Sequence, residues 1–404
     1  MPLRMLGALA GALFCWACYW SIRLAYADHI ANDRSRPAIE RAIRLAPGNP
    51  EYYVRLAEAD PSSALTAMEK AVALDPLNSA IWIDFARIAE EHKDFQRAES
   101  CLLRAVGLDR TFAPRWLLAG YYFRRHDPPG FWPAVRSALA TSYDDVAPLF
   151  DECWQLAPNP GTILAQAIPD RNDVLRQYLN YVLAKKRLDL AEPVASRVME
   201  HAGRDDVPAL LSYCDDLLAK NQAPPALEIW NSMSKKRLLD YPALIPENGA
   251  SITNGGFEKP FLTTAFDWRL AQLPGVSALR GGTLPMLRLS FSGKQPETCE
   301  ILSEFVPLAP ARKYLLSVRY ETDEIEGDTG LSWRVLDVRD GADLLEGTGQ
   351  LKGKERVEGE EELSFTTPAE TQLARVALMY QRVLGTVRIT GSISLRNVRL
   401  SIAK

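Results

Sequence analysis

Histidine is scarce in this 404-residue chain: His29, His92, His126 and His201 are all there are, and all lie in the N-terminal half. Any chemistry in the C-terminal half would therefore run without imidazole. Cys15 and Cys18 sit in an apolar run, while Cys101, Cys153, Cys214 and Cys299 stand alone, with no C-x-x-C pair and no histidine at ligand spacing. That pattern argues against zinc, and a free cysteine on an apolar helix face behaves as a small hydrophobe. No G-x-x-x-x-G-K-[ST] string occurs, and Gly347-Thr348-Gly349 lacks the third glycine and following helix of a dinucleotide loop. A large excess of one charge is missing too: the net charge is -4, which gives no electrostatic reason to bind nucleic acid. Acidic runs exist at Glu321-Thr322-Asp323-Glu324 and Glu360-Glu361-Glu362, but neighbours on a strand point to opposite faces, unlike the spaced carboxyl pair of a glycosidase. No enzyme activity, cofactor or metal is expected.

What is present first is an uncharged apolar run, Met5 to Ile22, between Arg4 and Arg23. A spanning helix needs about 17–25 apolar residues and a secretory signal about 7–15, so the length favours an uncleaved anchor. Trp16, Tyr19 and Trp20 cluster at the far end, where amphipathic rings prefer the headgroup level. The alternative is a signal peptide cut after Ala25-Tyr26-Ala27, leaving Asp28 as the terminus of a secreted protein. Residues 1–27 are thus a signal anchor or signal peptide. The expected location is a bacterial inner membrane, single-pass, with the bulk periplasmic.

Residues 28–240 are rich in Ala, Leu and charged residues at helical spacing, and they repeat. Trp82 and Trp116 lie 34 residues apart. Trp82, Phe85, Ala86, Ala89, Ala98, Leu102 and Ala105 set a template that Trp116, Ala119, Gly120, Phe123, Ala134 and Ala138 follow, displaced by an insertion at Pro128-Pro129-Gly130. Tyr53, Leu56, Ala57, Ala64, Ala71 and Pro76 form an earlier unit, and Ala42 and Pro47 the second helix of a partial one. Leu74-Asp75-Pro76-Leu77-Asn78 echoes Leu45-Ala46-Pro47-Gly48-Asn49. Diverged units follow at Leu175–Ala195 and Tyr213–Trp230, with a degenerate helical pair between Ser142 and Ala167. Small residues at these positions let antiparallel helices approach closely, and Ala86 and Gly120 mark that approach.

The pattern resembles the tetratricopeptide repeat family. The resemblance implies a right-handed helical solenoid whose first helices line a groove for a peptide or partner protein. Carried over position by position, the groove residues are Arg87, Glu90, Leu117, Tyr121, Arg124, Arg176 and Asn180. Their several guanidinium groups would suit an acidic or carboxylate-ended segment; the bland reading is a solvated helix face.

A Pro/Gly-bearing linker occupies 241–250, and residues 251–404 alternate as short strands and turns. Leu284–Phe291, Cys299–Leu308, Lys313–Thr322, Leu331–Val338, Glu361–Thr366, Leu373–Gln381 and Thr386–Ser401 read as strands, which predicts a β-sandwich or jelly roll of eight to ten strands. The fold class is thus multidomain α plus β: a membrane segment, a helical solenoid, then an all-β sandwich.

Asn254-Gly255-Gly256-Phe257-Glu258, Phe266-Asp267-Trp268, Leu287–Phe291, Phe305–Pro310 and Ile393–Leu400 resemble the carbohydrate-binding jelly rolls with a galactose-binding-like fold. That family often holds a structural calcium through its opening phrase and an acidic pair before the last strand. Arg396-Asn397 stands at the place of that pair, which speaks against a site at Glu258. The glycan-binding candidates are Asp267, Trp268, Arg269, Trp333, Arg334, Tyr380 and Gln381; aromatic parity with Leu331, Val335, Val376 and Leu378 equally fits core positions. The function expected is a non-enzymatic envelope scaffold binding a protein partner, in surface-polysaccharide assembly or export; the alternative is a glycan-binding protein acting through the sandwich.

Overall fold

The structure is a computed structural model. It describes the chain except residues 1, 144, 250, 282–284, 326, 354–357 and 404, and it describes residues 2–10 and 160 by backbone alone. Two compact units result, Met1–Val174 and Leu175–Lys404.

The first unit is helical. α1 (Pro2–Ala31), α2 (Arg36–Leu45), α3 (Pro50–Ala59), α4 (Ala64–Leu74), α5 (Ser79–Glu91), α6 (Phe95–Leu108), α7 (Phe112–Arg124), α8 (Pro128–Thr141), α9 (Ala147–Leu156) and α10 (Pro160–Gln166) follow one another through short turns. Successive helices pair as antiparallel hairpins, α1 with α2, α3 with α4, α5 with α6 and α7 with α8. Their seams are lined by buried alanines, among them Ala42, Ala57, Ala71, Ala86, Ala89, Ala98, Ala105, Ala119, Ala134 and Ala138.

The echoed Pro-x-Asn phrases have a local explanation. Asn49 and Asn78 are N-caps, accepting from the Glu51 and Ala80 amides at 3.0 and 3.1 Å, which satisfies donors the helix start leaves free. The aromatic near the start of α3 and of α5 then ties back to the same turn: Tyr53 donates to the Pro47 carbonyl at 3.2 Å and Trp82 to the Pro76 carbonyl at 3.0 Å. The repeat in sequence is a repeated cap and tether. The partial unit at Ala42 is completed by α1, whose Ala27 and Ala31 share a core with Ile39, Ala42, Ala46 and Tyr52.

Gly120 does not mark the close approach expected of it: an added Cβ would meet only the end of the Arg124 side chain, at 3.3 Å. The tight position is Gly130, where a Cβ would lie 2.5 Å from the Tyr122 ring.

The expected membrane-spanning helix is not found. Among the described residues no helix is long and apolar enough to cross a membrane. Met5–Ala10, the first part of the expected anchor, lies outside the residues whose side chains are described. From Gly11 to Ile22, α1 is exposed on every side.

The second unit begins inside α11 (Asn172–Ala184), continues through α12 (Ala191–Glu200), α13 (Val207–Ala219) and α14 (Ala223–Lys235), and then turns to strands. The last helices and the strands thus fall in the same compact unit. The expected linker is largely fastened: the Asn231 amide exchanges two hydrogen bonds with the Leu244 backbone, at 2.8 and 2.9 Å, and Ser234 donates to the Tyr241 carbonyl at 2.7 Å. Ala250 lies outside the described residues.

Among the described residues, ten strands form two antiparallel five-stranded sheets. β1 (Arg269–Leu270), β4 (Thr298–Pro307), β9 (Leu373–Gln381), β6 (Gly327–Asp337) and β7 (Gln350–Gly353) make one, in that order. The other runs β2 (Val276–Arg280), β3 (Leu287–Ser292), β10 (Thr390–Ile402), β5 (Lys313–Asp323) and β8 (Gly359–Thr366). The alternation read along β5 holds: Tyr314, Leu316, Val318 and Tyr320 are buried between the sheets. β3 starts at Leu287; Leu284, expected as its first residue, lies outside the described residues. The short strands β1, β2 and β7 were not anticipated.

Gly255 closes the seam between the opening loop and β10. A Cβ there would lie 2.0 Å from the Val398 carbonyl oxygen, and the Gly255 carbonyl accepts from the Val398 amide at 2.9 Å.

Candidate functional site

The groove residues on α5 and α7 occupy neighbouring first helices, and their charges are already engaged. The Nε/Nη2 edge of the Arg124 guanidinium grips Glu90 in a bidentate pair, Nε to Oε1 at 2.9 Å and Nη2 to Oε2 at 2.8 Å, across 34 residues of sequence. Arg87 bonds Glu91 at 3.0 Å and lies 3.6 Å from Glu58 on α3. These pairs lace α3 to α5 and α5 to α7. The free guanidinium forks expected for a partner's carboxylate are thus held by the chain's own acids, because one repeat period brings a base of one first helix opposite an acid of the preceding one.

Glu152 on α9 adds a further acid. Burial pushes its carboxyl up and the Arg124 charge pulls it down, and its Oε2 is buried without a partner.

Leu117 and its neighbour Trp116 are exposed. Tyr121 is buried instead: its hydroxyl donates to the Phe95 carbonyl at 2.8 Å, and it helps line a cavity of ≈ 320 Å³ with Phe95, Glu99, Tyr122, Arg125 and Asp127. There Tyr122 donates to Glu99 at 2.7 Å and Arg125 lies over the Phe95 ring at 3.8 Å. Arg176 and Asn180 belong to the second unit, where Arg176 pairs with Asp206 at 2.7 Å and Asn180 is exposed.

In the sandwich, most of the glycan-binding candidates turn out to be interior. Trp268, Trp333 and Tyr380 are completely buried in one core with Phe257, Tyr314 and Phe365, so no sugar can stack on them. Asp267 is likewise buried; its Oδ2 accepts from the Tyr241 hydroxyl at 3.2 Å and from the Leu262 amide. Arg269 is committed to Asp215 on α13, and the Ala265 amide donates to that same carboxylate at 2.7 Å.

Beside Asp267 lies a second interior carboxyl the sequence did not single out. Glu304 on β4 accepts through Oε1 from the Thr253 amide at 2.7 Å and its hydroxyl at 3.1 Å, while Oε2, like Asp267 Oδ1, has no partner. Burial drives both carboxyls above the usual range, and the two charges oppose one another. Among the described residues no group of three or more His, Cys, Asp or Glu could hold a metal ion.

Two predicted residues do meet at the surface. Arg334 on β6 and Gln381 on β9 line a polar cavity of ≈ 400 Å³ with Ser332, Asp343, Gln350 and the exposed Leu384. Its described lining contains no aromatic ring. The other sheet bears a larger cavity, ≈ 810 Å³, lined by Asn254, Glu258, Ser317, Glu362, Arg396 and Asn397. The outward alternation of Ser317 on β5 was the available signal for it. Arg396, at a bulge in β10, pairs with Glu321 at 2.7 Å, and the Asn254 side chain is tied to the Lys259 backbone at 2.8 and 3.0 Å.

Residues 55–119 match the tetratricopeptide repeat model. Its span runs from the end of α3 through most of α7, the helices that carry the tethers, the alanine seams and the Arg124–Glu90 bridge. No curated protein matches the chain in sequence. Among solved structures, YrrB, a TPR protein with an unusual peptide-binding site, is similar at 14% identity, covering 50% of this chain and 94% of that one, with a TM-score of 0.24. PilF of Pseudomonas aeruginosa is similar at 13% identity over 55% of this chain and 90% of that one, with a TM-score of 0.24. A CBM4 structure is similar at 14% identity over 38% of this chain and 100% of that one, with a TM-score of 0.30. At such TM-scores these likenesses carry no argument about function. The likeness to tetratricopeptide repeats thus rests on residues 55–119, within α3 to α7.

Proposed function

We propose that the chain is a non-catalytic scaffold whose tetratricopeptide repeats capture a protein partner on α5 and α7 while α1 attaches it to lipid. The observation that carries the first half is the Arg124–Glu90 bridge on the same helix that exposes Trp116 and Leu117, about two turns before Arg124. α7 thus carries fixed polar groups towards its end and exposed apolar side chains nearer its start, the composition of a protein-binding face. Because the guanidiniums are already paired, the partner is read by shape and by Trp116 and Leu117, with charge setting register. Trp116→Ala together with Leu117→Ala should abolish co-purification of the partner from membranes. Retention of the partner by that variant would overturn the reading.

Lipid attachment is supported by the exposed Leu13, Phe14, Trp16, Tyr19, Trp20 and Ile22, which no described part of the chain covers. Water tolerates a continuous apolar helix surface poorly, and a bilayer accepts it. Attachment to a lipid surface is compatible with an envelope role in surface-polysaccharide assembly or export.

A second reading is favoured by the meeting of Arg334 and Gln381: the sandwich binds a glycan in the ≈ 400 Å³ cavity through hydrogen bonds, with Leu384 as its apolar wall. Retardation of the chain in a polysaccharide gel, lost with Arg334→Ala plus Gln381→Ala, would support it; unchanged mobility of both forms would end it.

A further inference from the structure

Helix α1 is one uninterrupted element of 30 residues, about 45 Å long at 1.5 Å per residue. Its two ends live in different surroundings. From Gly11 to Ile22 every residue is exposed, whereas Ala27 and Ala31 are fully buried against α2 and α3. The buried end is fastened by polar contacts too: the Tyr52 hydroxyl donates to Asp28, and Arg55 reaches the Ala31 carbonyl at 3.4 Å. Between Ala12 and Ala31 there is no glycine or proline, so the helix has none of the residues at which helices bend. Arg23 lies over the Trp20 ring at 4.8 Å, placing a cation and an amphipathic ring side by side where the apolar stretch ends.

We propose that α1 is a single strut, its N-terminal half in a lipid bilayer and its last turns serving as the first helix of the repeat array. The array is then held at a set angle to the bilayer, and the chain is not cut between Ala27 and Asp28. The inference rests on the lipid reading above but adds rigidity and retention to it. A flexible tether would need an unpaired stretch of backbone after Ile22, and the helix supplies none. Cleavage after Ala27 would require opening the helix at a bond whose flanking residues are Ala27, in the core, and Asp28, in the hydrogen bond to Tyr52. It would also strip Ala27 from the first hairpin.

The test uses the full chain in vesicles of phosphatidylethanolamine and phosphatidylglycerol. Three results are expected: flotation with the vesicles, an intact mass that includes residues before Asp28, and slow amide exchange running without a break from Leu24 to Ala31. Ala25→Pro breaks the helix between its two halves. It should leave flotation intact and accelerate exchange in that stretch by at least about tenfold, since local opening then no longer costs tertiary contacts. Flotation with fast exchange from Leu24 to Ala31 in the unaltered chain would overturn the strut while sparing the lipid reading. An N-terminus at Asp28 would overturn retention. Failure to float, with copies cross-linking through their Trp16 faces, would assign the exposed half to a second copy and overturn both readings.

Discussion

The hairpins of residues 36–141 and the sandwich of residues 251–402 close their cores with opposite inventories. The hairpins bury alanine after alanine, drawn from residues a few turns apart, and the sidedness of each helix does the rest. The sandwich buries Trp268, Trp333, Tyr314, Tyr320, Tyr380 and Phe365, brought together from across its whole length. Small residues give close approach and leave no polar atoms to satisfy. Large aromatics fill more space but bring their own donors inside: the indole N–H groups of Trp268 and Trp333 have no partner, and neither do Asp267 Oδ1 and Glu304 Oε2. The first core is therefore vulnerable to added volume, the second to lost volume and to changes of protonation.

The largest effect should come from emptying the aromatic core. Trp268→Ala removes a fully buried ring that meets Trp333 at 6.2 Å and Phe257 at 5.8 Å. The expected cost is about 3–5 kcal/mol, read as a lower denaturant midpoint. An unchanged midpoint would mean the ring is not where the core closes.

Next come insertions at a tight glycine from each region. Gly255→Ala and Gly130→Ala each force a methyl into occupied space and should cost about 1–3 kcal/mol, the first at least as much because its obstacle is backbone. Gly120→Ala is the internal control. It meets only a flexible guanidinium end and gains helix propensity, so its thermal midpoint should hold or rise. A greater loss at Gly120 than at Gly130 would invert the assignment of the close approach.

Protonation separates the regions further. Because Asp267 and Glu304 are raised by burial, the folded chain retains protons that the unfolded chain releases near pH 4. Their contribution is full below about pH 4 and is lost as pH rises towards the raised native values. Glu304→Gln keeps the acceptor that Thr253 uses and removes one ionisable group. It should flatten the decline of stability above about pH 4. A parallel decline in both forms would show that other groups set it.

The smallest effect is expected on the laced helix face. Arg87→Ala removes exposed ion pairs and should shift stability by no more than about 0.5 kcal/mol. A larger loss would mean that the lacing itself holds α3 to α5.

The sequence was legible where structure is local. Trp82 reported the repeat because its unit, like that of Tyr53, caps and tethers itself within a few residues, and the parity of Tyr314 to Tyr320 reported the two faces of β5. It was misleading where burial depends on distant partners. Phe266-Asp267-Trp268-Arg269 has the residue types of a sugar site, but its polar members face Tyr241 and Asp215, 26 and 54 residues earlier. The pairing of Arg124 with Glu90 could have been foreseen, since 34 residues is the repeat period itself. β1, with two residues, and β7, with four, are too short to show an alternation.

The order of strands has a consequence for biogenesis. β10 is the last of the described strands and the middle strand of its sheet, paired to β3 on one side and β5 on the other. While the polypeptide is being made or threaded across a membrane, each helical hairpin can settle as soon as it emerges. β3 and β5, by contrast, wait with bare edges until residues 390–402 arrive. The sandwich half is thus the aggregation-exposed stage of synthesis, and its completion is timed by the arrival of a single segment.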